Sequence, residues 1–184
     1  MEINFEVKTI EIAGIKSALE ALRLPFGKDA RSECHFTYNQ VNEAITYHSD
    51  CYVEPKDIQL MTTLMKRGDE HAKVLRGIIA YAIIDAPRYM WVELDTYKVG
   101  TDRLSSESTM HIQGKGMDTE ELIRMKEELK EGTMQKRVQM FSYQTLRRIY
   151  YQRRNHRLPH WHKFCEWIKT LPYAEELILQ TRKE

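Results

Sequence analysis

Cysteine is scarce in this chain: Cys34, Cys51 and Cys165 are the only three, widely spaced and without a CxxC pair. Such spacing supports neither a disulfide framework nor a cysteine-rich zinc site, and the thiols read as reduced. Long apolar runs are missing too. The longest uncharged one, Gly77 to Ile84, is far short of the roughly 20 residues that a membrane helix needs. Met1-Glu-Ile-Asn has no basic-then-apolar leader pattern, so a cytoplasmic, soluble protein without membrane attachment is expected. No charge of one sign dominates, with 28 Lys and Arg against 27 Asp and Glu. Charged residues make up 30% and aromatics 10% of the chain, which excludes a disordered tail, a collagen-like chain and a low-complexity segment. What is present is 184 residues with 42% hydrophobic side chains, enough for one core. Without internal repeats or a flexible linker, strands mixed with helices read as a single α/β or α+β domain over 1–184.

The balanced charge hides an asymmetry. Residues 136–184 hold eleven Lys and Arg against four acids, a local +7, and the preceding 135 residues carry −6. Such a segment meets a phosphate ligand, a nucleic acid or the acidic part of a neighbouring subunit, unless it is a solvated basic helix.

Patterning along the chain predicts a strand over Glu2 to Ile12 and a helix from Ile15, with Ala18, Leu19 and Leu22 on one face, stopped at Pro25. Ala44 to Tyr52 has strand composition, and Pro55 to Arg67 reads as a helix closed by Gly68. Gly77 to Ile84 reads as a strand covered on both faces, with Asp85 capping the next helix and Pro87 in its first turn. That helix points Met90, Trp91, Leu94 and Tyr97 inward. Asp118 and Glu121 are spaced as a capping box, ahead of Leu122, Met125 and Leu129 on a buried side. Helices are expected over Phe141 to Arg154 and Pro159 to Leu171, with Cys165 in the apolar stripe of the latter.

One residue breaks the apolar face of the helix from Phe141. Leu146, Ile149 and Tyr150 define that face, and one more turn brings Arg153 onto it. An inward cation needs an anion. The partner is either structural, such as Glu93 or Asp95, or a bound phosphate held with Arg157 or Arg154. Tyr150-Tyr-Gln-Arg-Arg interleaves aromatics and cations as nucleic-acid binders do, although no nucleic-acid-binding consensus accompanies it. His156, His160 and His162 do not share one helix face, so no metal site is expected from them. Ser105-Ser-Glu-Ser-Thr-Met-His111 offers hydroxyls either to phosphate oxygens or to a helix cap.

His71, the apolar strand, Arg88, the Tyr97-Lys98 turn and Ser106-Glu-Ser-Thr-Met-His111 together resemble the flavin-dependent thymidylate synthase family, ThyX. That family's signature is RHRxxSxNExSxRY, followed later by a helix ending in arginine and an AQxEIR-like helix. Leu146 to Lys163 is similar to that pair, with Arg153 at the arginine position, and the resemblance spans about residues 68–171. It implies a ThyX-like fold, a central sheet flanked by helices, and nucleotide binding by Arg88, Tyr97, Lys98, Ser106, Ser108, Arg153 and Arg157. Ser108 would be the serine nearest the chemistry and Tyr97 a stacking surface for a base. It further implies flavin (FAD), methyl transfer to a pyrimidine deoxynucleotide, and a homo-oligomer, a tetramer with sites between subunits. The signature's arginines and histidine fall on Lys98, Val99 and Gly100, and its Arg-Tyr on Met110-His111. The fold can therefore be inherited without the reaction, leaving a protein that captures a nucleotide or signalling nucleotide. The wording DTYKVG…SxSTMH is also similar to proteins met in bacterial phages and prophages, which would place the protein in a host cytoplasm.

Overall fold

The computed structural model describes residues 3–27, 34–41, 44–68 and 70–180, and of residues 34–51 the backbone alone. Glu2, Arg182, Lys183 and the thiols of Cys34 and Cys51, all used above, lie outside that description.

Strand β1 (Glu6–Ala13) ends at Gly14, whose φ of 83° is left-handed, and a Cβ there would strike the Gly77 carbonyl oxygen. Only glycine lets the start of α1 (Ile15–Arg23) sit this close to the chain entering the central strand. Helix α1 buries Ile15, Ala18, Leu19 and Leu22, the face its spacing predicts. A hairpin of β2 (Cys34–Val41) and β3 (Ala44–Cys51) follows, the latter matching the strand-like composition read there. Helix α2 (Pro55–Lys66) starts on its proline and buries Asp57 against Arg23.

The central strand β4 (Ile79–Pro87) is longer than expected. Asp85 is a strand residue, opposite Glu6 and Lys136, and the position preceding α3 (Arg88–Leu94) is Pro87. Nor is β4 covered on both faces. Ala80, Ala82, Ile84 and Ala86 are buried, while Ile83 on the other face is 37% exposed, the alternation of a sheet packed on one side.

Besides β2, the patterning does not predict two further strands, β5 (Thr101–Ser106) and β6 (Met134–Ser142). Between them lie the turn α4 (Thr109–Ile112) and helix α5 (Thr119–Glu127), whose capping box forms as read. Leu122, Met125 and Leu129 are only half-buried, because little of the protein packs over α5. The four strands pair antiparallel in the order β1-β4-β6-β5. Their covered face meets α6 (Tyr143–Arg153) and α7 (Pro159–Lys169) through Phe141, Leu146, Ile149, Trp161, Phe164 and Ile168, and α8 (Ala174–Leu177) packs against α2 and α7. Arg147, buried on α6, donates to the carbonyls of Leu177 and Ile178 and so closes the end of α8.

Candidate functional site

Helix α3 turns Met90, Trp91 and Leu94 into the core, which sets Glu93 towards α6 and α7. Glu93 is a hub. Its Oε2 accepts from Arg153 Nη1 at 3.0 Å and from Trp161 Nε1 at 2.8 Å, and His156 Nε2 stands 3.7 Å away. Arg153 Nε donates to the Tyr97 hydroxyl at 2.8 Å, and its guanidinium lies 4.6 Å from the Trp161 ring centre. The inward cation of α6 thus has a structural counter-ion, the first of the two partners its position allowed. Tyr97 is enclosed by the same arrangement. It is 5% exposed, with the guanidiniums of Arg148 and Arg153 at 5.4 and 5.6 Å, so its ring is not an open stacking surface for a base.

A second buried cation lies on β6. Arg137 Nη1 reaches both oxygens of Asp95 at 3.0 Å, and its guanidinium sits 4.4 Å over Trp91. Burial pulls the Arg137 pKa down, Asp95 opposes that, and the cations Arg103 and Arg88 add to it. Two residues further along the same face is Gln139, 4% exposed, opposite Ala82 on one side and Arg103 on the other. Its Oε1 is buried with no hydrogen-bond partner among the described residues.

Above Gln139 the turn from α3 and strand β5 leave a hollow of about 270 Å³. Asp95, Tyr97 and Lys98 form one wall, and Thr101, Asp102 and Arg103 the other. Gly100 makes the turn possible: its φ is 73°, and a Cβ there would meet Ser142 Oγ and Thr145 Oγ1. Asp95 is committed to Arg137, whereas Lys98 and Arg103 are exposed and form no ion pair among the described residues. Asp102, on the same wall as Arg103, is also exposed and forms no ion pair among the described residues, so the rim offers two cations beside one open carboxylate.

Of the residues expected from sequence, Tyr97 and Lys98 line this hollow, and Arg153 backs Tyr97 from behind. The others lie elsewhere. Arg88 opens α3 with its backbone N–H on the Thr133 carbonyl, and its Nε is buried without a partner among the described residues. Ser106 ends β5 opposite Arg137, and Arg157 is exposed in the turn after α6. Ser108 caps α4, its Oγ accepting from His111 N at 3.4 Å, which is the capping role the serine cluster allowed. The three histidines face different partners. His156 Nδ1 accepts from Leu158 N, His162 Nε2 is 2.6 Å from the His156 carbonyl, and His160 Nε2 is 3.1 Å from the Tyr89 hydroxyl. Burial lowers the pKa of His160 and raises that of the Cys165 thiol to about 11, as suits a core position.

No protein-family model matches the sequence, and no curated protein matches it. Solved structures do. The ThyX of Helicobacter pylori, complexed with FAD and dUMP, superposes with a TM-score of 0.67 over 97% of this chain and all of that one, at 12% identity. A UMP/dUMP methylase, PolB of Streptomyces cacaoi, bound with 5-Br dUMP, gives 0.64 over 97% of this chain and 96% of that one, at 13% identity.

The fold is ThyX-like.

Within this ThyX-like frame the hollow is small. Its volume lies below the 300–1,000 Å³ of most small-molecule sites, and the aromatic face beside it is closed by Arg148 and Arg153. The described residues supply a rim of mixed charge, Lys98 and Arg103 with Asp95 and Asp102, and one unpartnered amide, that of Gln139. Arg103 and Gln139 were not candidates on sequence. Neither carries a hydrophobic-periodicity signal, since Arg103 is an exposed residue of the edge strand β5 and Gln139 is a polar residue at an inward position of β6.

Proposed function

We propose that this chain is a nucleotide-binding protein on a ThyX-like fold, taking a pyrimidine mononucleotide in the hollow between the α3–β5 turn and β6. The observation that carries it is the pair of free cations, Lys98 and Arg103, standing over a buried amide with an unmet acceptor. Lys98 and Arg103 hold the phosphate. Two charge-assisted contacts contribute about 3–6 kcal/mol together, which with a seated base brings binding to the order of micromolar. Arg153 keeps Tyr97 in place as the wall. The superposition on structures that hold dUMP and 5-Br dUMP supports the class of ligand. Residues 1–184 act as one domain in this reading.

The test is a melting-temperature series with dUMP, UMP and purine mononucleotides. A ligand that binds only the folded chain raises the melting temperature, so dUMP at millimolar concentration is expected to do so. No rise with any nucleotide overturns the proposal.

A second reading, flavin-dependent methyl transfer to a pyrimidine deoxynucleotide, is favoured by the FAD held in the H. pylori structure. The departures from the family signature weigh against it, since its arginines and histidine fall on Lys98, Val99 and Gly100. Purified protein that is yellow, or that quenches the fluorescence of added FAD, would establish it; colourless protein indifferent to FAD leaves the capture reading. Both readings include self-association. The other face of the sheet carries Tyr81, Val138 and Met140, half-buried, and Ile83, 37% exposed, beside the polar pair Asp85 and Lys136, and this apolar cluster supports a second copy packed there.

A further inference from the structure

Gln139 is the residue of the hollow that packing does not explain. It lies on the covered face of the sheet, in line with Phe141 and opposite Ala82, where an apolar side chain would leave nothing unmet. A buried acceptor without a donor works against the fold, so the amide points to a group that arrives from outside.

We infer that Gln139 reads the base of the bound nucleotide, pairing its amide with a ring edge that presents an N–H beside a C=O, as uracil and thymine do. The inference rests on the nucleotide reading and assigns the residue that gives it specificity. A carboxamide offers one acceptor and one donor side by side, and an imide edge is their complement. Placement on the sheet sets the order of the ligand. Gln139 and Arg103 are directly opposed on β6 and β5, so their Cβ atoms stand about 4.5–5.5 Å apart. Arg103 is long and exposed, and Gln139 is short and buried. The ring therefore goes to the floor, and the phosphate stays at the rim with Arg103 and Lys98. Neither Asp95, already held by Arg137, nor Thr101, whose hydroxyl donates to the Tyr97 carbonyl, competes for the amide.

Calorimetric titration with UMP, its 3-methyl derivative and ribose 5-phosphate separates the parts. The whole chain is expected to bind UMP at least tenfold more tightly than either of the others, because methylation removes the ring N–H and the sugar phosphate has no ring. Gln139→Met, of similar volume, is expected to lower UMP affinity about tenfold and leave ribose 5-phosphate within twofold. Gln139→Asn, which keeps the amide but shortens its reach, is expected to fall between. Equal binding of UMP and its 3-methyl derivative overturns the inference, as does a Gln139→Met protein that binds UMP unchanged or loses both ligands alike. If ribose 5-phosphate binds and the base adds nothing, this inference falls while anion binding at the rim stands. If no phosphate compound binds, the nucleotide reading falls with it.

Discussion

Glu93 shows how one side chain decides what its neighbours can do. It neutralises Arg153 and accepts from Trp161, so the guanidinium that looked most available to a ligand is held inside the chain. Glu93→Ala leaves Arg153 and the Trp161 N–H unmet. With the pair partly exposed, at 19% and 30%, a loss of about 1–3 kcal/mol is expected, read by denaturant titration. Gln139→Met works in the opposite direction. Removing an unmet acceptor is expected to raise the melting temperature by about 2–6 °C, so a stabilised variant with weakened UMP binding separates function from folding. His160 gives a pH signature. Burial first, then Lys163, lowers its pKa from 6.5, so the folded chain binds fewer protons than the unfolded chain just below that value. The associated stability is present above pH 6.5 and is lost as the pH falls through the folded pKa. The His160 ring should titrate in NMR with a midpoint below 6.5, and His160→Phe should flatten the acid slope.

At the scale of elements, the longer helices are legible in the sequence, while the short α4 and α8 and the strands β2, β5 and β6 are not. Ile15, Ala18, Leu19 and Leu22 recur at helical spacing and are buried, and the capping box of Asp118 and Glu121 forms where its spacing put it. Strand β6 was hidden because its pattern is inverted. Alternation places Val138 and Met140 on one face and Arg137 and Gln139 on the other, and the polar pair faces inward. Hydrophobic periodicity cannot find a strand whose buried positions are polar. Strand β5 is an edge with five of its six residues exposed, so it has no buried stripe to read. The hollow is built from these two strands. Lys98 and Tyr97, which the resemblance names, lie on the turn that borders it, while Arg103 and Gln139 lie on strands that the patterning does not predict. Gly100 joins α3 to β5 at positive φ, and Gly100→Ala would push a methyl group against Ser142 and Thr145. A loss of about 2–4 kcal/mol is expected, and nucleotide binding should weaken with it because Lys98 and Arg103 flank the turn.

For the molecule as a whole, the basic excess of residues 136–184 is partly internal. Arg137, Arg147 and Arg153 are held by Asp95, by the end of α8 and by Glu93. What remains for solvent is weaker than the sequence count, which favours a small anion over a long nucleic acid. On the other face of the sheet Ile83 is 37% exposed and Tyr81, Val138 and Met140 are half-buried. Ile83→Lys is expected to convert a self-associated protein to monomers in sedimentation equilibrium, with little change in melting temperature at low concentration; unchanged mass would place the contact elsewhere.

The central strand has a consequence for synthesis. β4 is zipped to residues 6–13 on one side and to 134–142 on the other, so contacts between distant parts of the chain must close before the sheet is complete. A nascent polypeptide halted before residue 134 would hold β4 with one edge unpaired and its covered side bare of α6 and α7. It should be cut readily by protease while still tethered to the ribosome, and gain protection only once α7 has emerged.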